Sequence, residues 1–146
     1  MYDFIKVCTV TPKMHLGDPL FNTEQIITCL KMAHEGGASL ALFPELALTG
    51  YYCQDLFFQT TLLNEAEKGV EKILEASKTL DLVAIIGVPI AYGCNLYNTA
   101  VVICKGQILG IVPKTHLPNY GEFYEKRWFS AAYHLTHPTM HYAHQE

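Results

Sequence analysis

At 146 residues, half of them hydrophobic and 16% charged, the chain can bury one core and has the length of one ordinary domain, which excludes an intrinsically disordered polymer. A formal charge of -4 gives no electrostatic reason to expect nucleic acid as a partner. The longest mostly apolar stretch, Leu82 to Ala91, is too short for a bilayer and contains Gly87 and Pro89, and Asp3 stands where a secretory signal would carry a basic residue, so no membrane and a cytoplasmic location are expected. The cysteines Cys8, Cys29, Cys53, Cys94 and Cys104 are odd in number, widely spaced and without a Cys-x-x-Cys pair, which reads as reduced thiols rather than a disulfide or zinc framework.

Ile5 to Val10 is rich in β-branched residues and ends at Thr11-Pro12, the pattern of an opening strand and loop. A helix should follow, with Asn22 and Gln25 resembling a capping box, Ile26, Ile27, Leu30 and Ala33 sharing a face, and Gly36-Gly37 as the stop. Ser39 to Phe43 reads as a short apolar strand that delivers Pro44 and Glu45 at its end. Leu62, Leu63, Ala66, Val70, Ile73 and Leu74 then recur at helical spacing, while Glu and Lys residues between Glu65 and Lys78 crowd the other, solvated side. Three strands complete the pattern: Leu82 to Ala91, Tyr97 to Cys104, and Ile108 to Val112, with Lys105-Gly106 as the hairpin turn. The order β, α, β, α, β, β, β predicts one α/β layered domain over residues 1–146, a sheet with helices on one face.

Glu45 lies within Leu40 to Leu48, where every other residue is apolar or Pro44. Apolar surroundings disfavour a carboxylate and raise its proton affinity toward the range of a general base, unless a cation compensates. The same Pro-Glu pair also fits the first turn of a helix. Lys114, after Ile108 to Val112 and Pro113, is the natural cation, able to balance Glu45 and to meet a developing oxyanion; its plainer reading is a surface lysine with an extended stem. The loops after these residues, Leu48 to Tyr52 and Leu117 to Glu125, are aromatic and rich in turn residues, so their rings either wall a small-molecule pocket or cover the sheet.

Phe43-Pro44-Glu45-Leu46-Ala47-Leu48-Thr49-Gly50-Tyr51 with Asp55-Leu56-Phe57 resembles the segment of the nitrilase (carbon-nitrogen hydrolase) superfamily that carries the catalytic glutamate. Asn98-Thr99-Ala100, Pro113 to Tyr120 and Glu122 to Phe129 look more specifically like the glutaminase domain of glutamine-dependent NAD synthetases, and the resemblance runs from the first strand through Phe129. It implies an α-β-β-α sandwich, of which this chain is the first part. It further implies Glu45 as general base, Lys114 as stabiliser of the tetrahedral intermediate, and a cysteine as nucleophile. Tyr120 and Phe123 would line the glutamine pocket and Glu125 would support the lysine. The three chemical types follow from the reaction: amides are poor electrophiles, so a thiolate attacks, a base takes its proton and a cation holds the oxyanion. In the family, ammonia then passes to a separate synthetase domain, which alone needs ATP and magnesium; the glutaminase part needs no cofactor.

The family's nucleophile would lie beyond the lysine and its aromatic loop, and no cysteine follows Cys104. The expectation is therefore a domain truncated before its nucleophile, with the synthetase domain also absent. Cys53 could border the pocket, but a substitute nucleophile would have to reach both base and oxyanion donor, and an inert thiol is the expectation. The tail from Tyr133 to Glu146 carries His134, His137, His141 and His144; Pro138 interrupts any helix aligning them, so a frayed terminus without a metal site is expected. A sandwich short of strands would leave an apolar face, so homo-oligomerisation or modest stability should follow. The readings thus open are a glutaminase part acting on glutamine, a non-catalytic module for partner binding or assembly, and an amidase of the same superfamily with another substrate.

Overall fold

The computed structural model describes residues 4–135 and 139–145. β1 (Val7–Thr9), α1 (Pro19–Glu35), β2 (Leu40–Leu42), α2 (Thr60–Ser77), β3 (Val83–Tyr92), β4 (Asn95–Cys104) and β5 (Gln107–Pro113) follow one another in the expected order, with one short 3-10 segment between β2 and α2 and two more after β5. They build a five-stranded sheet in the order β1-β2-β3-β4-β5. β1, β2 and β3 pair in parallel, and β3, β4 and β5 form an antiparallel meander. Parallel neighbours need a crossover, and α1 and α2 are those crossovers.

The first helix begins differently from the sequence expectation. Asp18, not Asn22, is the N-cap: its carboxylate accepts from the Phe21 N–H at 3.0 Å, and Pro19 opens the helix where a missing N–H costs nothing. Asn22 lies inside α1, 1% exposed, and its side chain bonds the backbone of His15 and the carbonyl of Leu48. It ties the loop after β1 to the turn after β2, a long-range role with no local sequence signature. β2 stops at Leu42 because Phe43 still donates to Ile85 O but Pro44 has no N–H to continue the ladder.

Both helices pack on one face of the sheet. Ile26 and Leu30 of α1 and Ala66, Val70 and Ile73 of α2 close over Ala41, Ala84, Ile86, Val88, Val101 and Ile103. The alternate residues point the other way, and there Val7, Leu42 and Val112 remain 63%, 43% and 59% exposed. The Lys105-Gly106 turn carries positive φ at both positions, 48° and 80°, as a two-residue hairpin with right-handed strand twist requires. Among the described residues no helix is long and apolar enough to cross a membrane.

The tail departs from the expectation of fraying. Tyr142 and Ala143 are buried, the Ala143 N–H donates to Glu67 at 2.9 Å, and the Gln145 side chain accepts from Ile108 N–H and donates to Gly106 O, both at 2.8 Å. A single glutamine thus satisfies backbone groups at the start of β5, which no periodicity could announce. His144 lies 3.1 Å from Glu71 on α2, and His137 falls outside the described residues. Among the described residues no three His, Cys, Asp or Glu side chains are grouped to hold a metal.

Candidate functional site

The chain leaves β2 through Phe43 and Pro44 and turns sharply at Glu45, because Leu46 adopts a left-handed φ of 51° while fully buried. Hydrogen bonds from Ala47 to Pro44 O and from Gly50 to Leu46 O close the elbow. Its backbone lies directly on β3: a Cβ at Gly87 would stand 2.2 Å from Leu46 N and 2.6 Å from Pro44 O. Glycine at position 87 is what permits this approach. No helix begins at Pro44, so the reading of Glu45 as a first-turn helix acid does not hold.

Lys114 follows β5 and is anchored by its own N–H to Asn98 O at 2.8 Å. Its ammonium bridges two carboxylates, reaching Glu45 Oε1 at 2.6 Å and Glu125 Oε1 at 3.0 Å. With its side chain 29% exposed and doubly paired, it is not a free surface lysine. Burial by itself would lower the Lys114 pKa, but the bonds to Glu45 and Glu125 outweigh it and hold the ammonium above the ordinary lysine value. Glu45 is corrected in one respect: its side chain is 41% exposed, so a salt-bridged, solvent-reached carboxylate replaces the expected apolar burial. Glu125, by contrast, is 1% exposed.

Two residues to which sequence reasoning gave no role of their own, Asn98 of the family-like block and Tyr51 of the first aromatic loop, complete the site. Asn98 donates from Nδ2 to Glu45 Oε1 at 2.5 Å, and Tyr51 donates from its hydroxyl to Glu125 Oε1 at 2.6 Å. Burial, reinforced by the negative charge of Glu125, drives the Tyr51 pKa far above the usual phenol value, so the hydroxyl stays a donor. The available signal for Asn98 was a polar side chain in the middle of an apolar strand, since a buried amide demands partners.

The two aromatic loops are tied to each other. Arg127 grips Asp55 through two bonds of 2.7 Å, and the Trp128 indole adds a third at 2.9 Å. These donors hold the Asp55 carboxyl down at about 2. Phe123 meets the rings of Tyr51 and Tyr120 edge-on, at 6.3 and 6.0 Å. Glu45, Asn98 and Lys114 line a hollow of about 330 Å³ together with Phe43, Pro44 and Pro113, on the sheet face opposite the helices. Tyr120 is 73% exposed and borders a neighbouring hollow with His116, Lys126 and Tyr133. Cys53 sits among Leu46, Phe57 and Leu96, donating to the carbonyls of Thr49 and Gly50. Burial pushes this thiol up.

Compared with known proteins, residues 7–142 match the family model described as carbon-nitrogen hydrolase. A glutamine-dependent NAD(+) synthetase of Mycobacterium tuberculosis is 40% identical over 126 residues, which are 86% of this chain and 19% of that protein. Among solved structures, a glutamine-dependent NAD(+) synthetase from Cytophaga hutchinsonii superposes with a TM-score of 0.81 at 27% identity, covering 87% of this chain and 22% of that one. The Acinetobacter baumannii glutamine-dependent NAD+ synthetase gives 0.77 at 35% identity, with 87% and 24% covered. The chain therefore spans about a fifth of the length of these curated relatives.

Proposed function

Since this chain belongs to the carbon-nitrogen hydrolase family, we propose that it supplies the base and the oxyanion-holding cation of a site that hydrolyses the side-chain amide of glutamine. The observation that carries the reading is the Lys114 ammonium held between Glu45, which borders the hollow, and the buried Glu125. In this reading Glu45 takes the proton of an attacking thiol, gives it to the departing ammonia, and then takes a proton from the water which clears the thioester. Lys114 faces the oxyanion, a role worth about 10²- to 10³-fold in rate for one donor. Glu125 supports Lys114, while Tyr120 and Phe123, which stand outside the hollow of Glu45 and Lys114, would meet glutamine from the neighbouring loop. The released ammonia would feed a synthetase domain, where ATP and magnesium would act; none of the steps assigned to this chain uses a cofactor. The names of the relatives support glutamine over another amide.

The thiol is the part this reading draws from outside the 146 residues. The test is ammonia release from glutamine by this chain, by its Cys53→Ala variant, and by a chimera continuing into the segment that follows the matched region in the tuberculosis relative. Activity is expected in the chimera alone, and Glu45→Ala should reduce it about 10³-fold. Hydrolysis by the 146-residue chain that disappears with Cys53→Ala would make Cys53 the nucleophile. A chimera that folds and leaves glutamine intact would end the glutamine reading.

A second reading, a non-catalytic assembly module, is favoured by one observation: the bare sheet face with Val7, Leu42 and Val112 exposed. We infer that the 146-residue chain self-associates through it, as a homo-oligomer. Light scattering should show a dimer or larger species that Val112→Glu dissociates, and a monodisperse wild-type monomer would refute the inference.

A further inference from the structure

We propose that Asn98 is a positioning residue that fixes which oxygen of Glu45 meets the substrate; the proposal rests on the reading of Glu45 as a base. Asn98 sits in β4, 3% exposed, with its side chain on the hollow that Glu45 and Lys114 border. Its two polar ends act on the two charged groups. Nδ2 donates to Glu45 Oε1 at 2.5 Å, while its backbone carbonyl accepts from the N–H of Lys114 at 2.8 Å. One strand residue thus sets the side chain of the base and the backbone of the cation.

The donors on Glu45 converge on the same atom. Asn98 Nδ2 and Lys114 Nζ both reach Oε1, the latter at 2.6 Å. A carboxylate on a side chain that is 41% exposed would otherwise rotate and swap which of its oxygens faces the solvent. Two donors on one oxygen stop that rotation and leave Oε2 as the oxygen free to take a proton. The register supports the placement: Asn98 pairs with Pro89 across β3, two residues along from Gly87, on which the Glu45 elbow rests. Lys114 alone could not impose this geometry, because its ammonium is shared with Glu125. Asn98 is therefore the donor that belongs to Glu45 alone, and a displacement of about 1 Å in such a group costs on the order of 10²-fold in rate.

The first test needs no turnover. In the 146-residue chain with labelled lysine, the Lys114 ε-methylene is followed by NMR against pH. Asn98→Ala should lower its midpoint toward the ordinary lysine value, because Glu45 swings away from the ammonium. In the reciprocal measurement, the Asn98 side-chain amide signals should move in Glu45→Ala, a change at a partly exposed position that spares the core if Asn98→Ala fails to fold. No movement in either experiment overturns the proposal. The second test uses the chimera: Asn98→Ala should lower kcat about 10- to 100-fold with KM within about threefold. A raised KM at constant kcat would make Asn98 a binding group and overturn the positioning role. If the wild-type chimera releases no ammonia while both NMR changes appear, the glutamine reading fails and the positioning of Glu45 by Asn98 stands.

Discussion

Gly87→Ala should destabilise the protein by about 3 kcal/mol and lower its thermal midpoint by roughly 10 °C, the largest effect expected of any glycine-to-alanine change in the chain. The atoms such a methyl would meet are Leu46 N at 2.2 Å, Pro44 O at 2.6 Å and Glu45 C at 2.8 Å, all of them backbone. No side chain can rotate out of the way. Either β3 or the elbow must shift, and the elbow has less to hold it, since Leu46 already occupies a left-handed φ of 51°. Glu45 would move with it, so the Lys114 midpoint should fall toward the ordinary lysine value alongside the loss of stability. Differential scanning calorimetry and the lysine titration check the two effects separately. A variant that keeps its melting temperature would show that the contact yields more cheaply than backbone normally does.

Glu125→Ala is the second large change, expected to cost about 2–3 kcal/mol at neutral pH. The carboxylate is 1% exposed and accepts from both Tyr51 and Lys114, so its removal strands one partly buried hydroxyl and one half of an ammonium's pairing. The figure falls below that of a fully buried ion pair because Lys114 keeps Glu45 and some contact with water. Glu125→Gln should lose less, since an amide carbonyl can still accept from both donors. The pH dependence has a definite sign. A lysine whose folded pKa lies above its ordinary value of 10.5 adds stability that is fully present below that value and fades as pH rises through the folded pKa. The part of the difference between wild type and Glu125→Ala that comes from Lys114 should therefore be constant near neutrality and shrink above pH 10.5. Urea unfolding at a series of alkaline pH values measures it, and a difference that grows there would contradict the assignment.

Local signals carried much of the architecture. The amphipathic run through α2, the Lys105-Gly106 turn and the strand-end positions of Glu45 and Lys114 each express rules that act within a few residues, and the structure keeps them. The failures share the opposite property. Asn22 resembled a cap because Asn is a capping residue, yet its partners His15 and Leu48 are brought to it by other parts of the chain. Gln145 looked like loose tail, although its partners lie at the start of β5. Asn98 and Tyr51 acquire their meaning from Glu45 and Glu125, far away in sequence. In the same way, the apolar residues around Glu45 suggested burial, but they belong to the elbow that turns it outward onto the hollow. Spacing in sequence identifies which face a residue occupies, and it is silent about which distant polar group will arrive there.

The meander and the parallel strands also differ in the chain entropy needed to form them. β3, β4 and β5 pair with sequence neighbours through tight turns, whereas three-residue β2 joins β3 only after the whole of α2 has been folded back between them. Loop closure favours the meander first. Asn98 and Lys114 ride on that early unit, while Glu45 arrives with the short strand that docks on it afterwards. The ion pair at the hollow is thus a seam between two stages of assembly, since it can close only once β2 has docked on the meander.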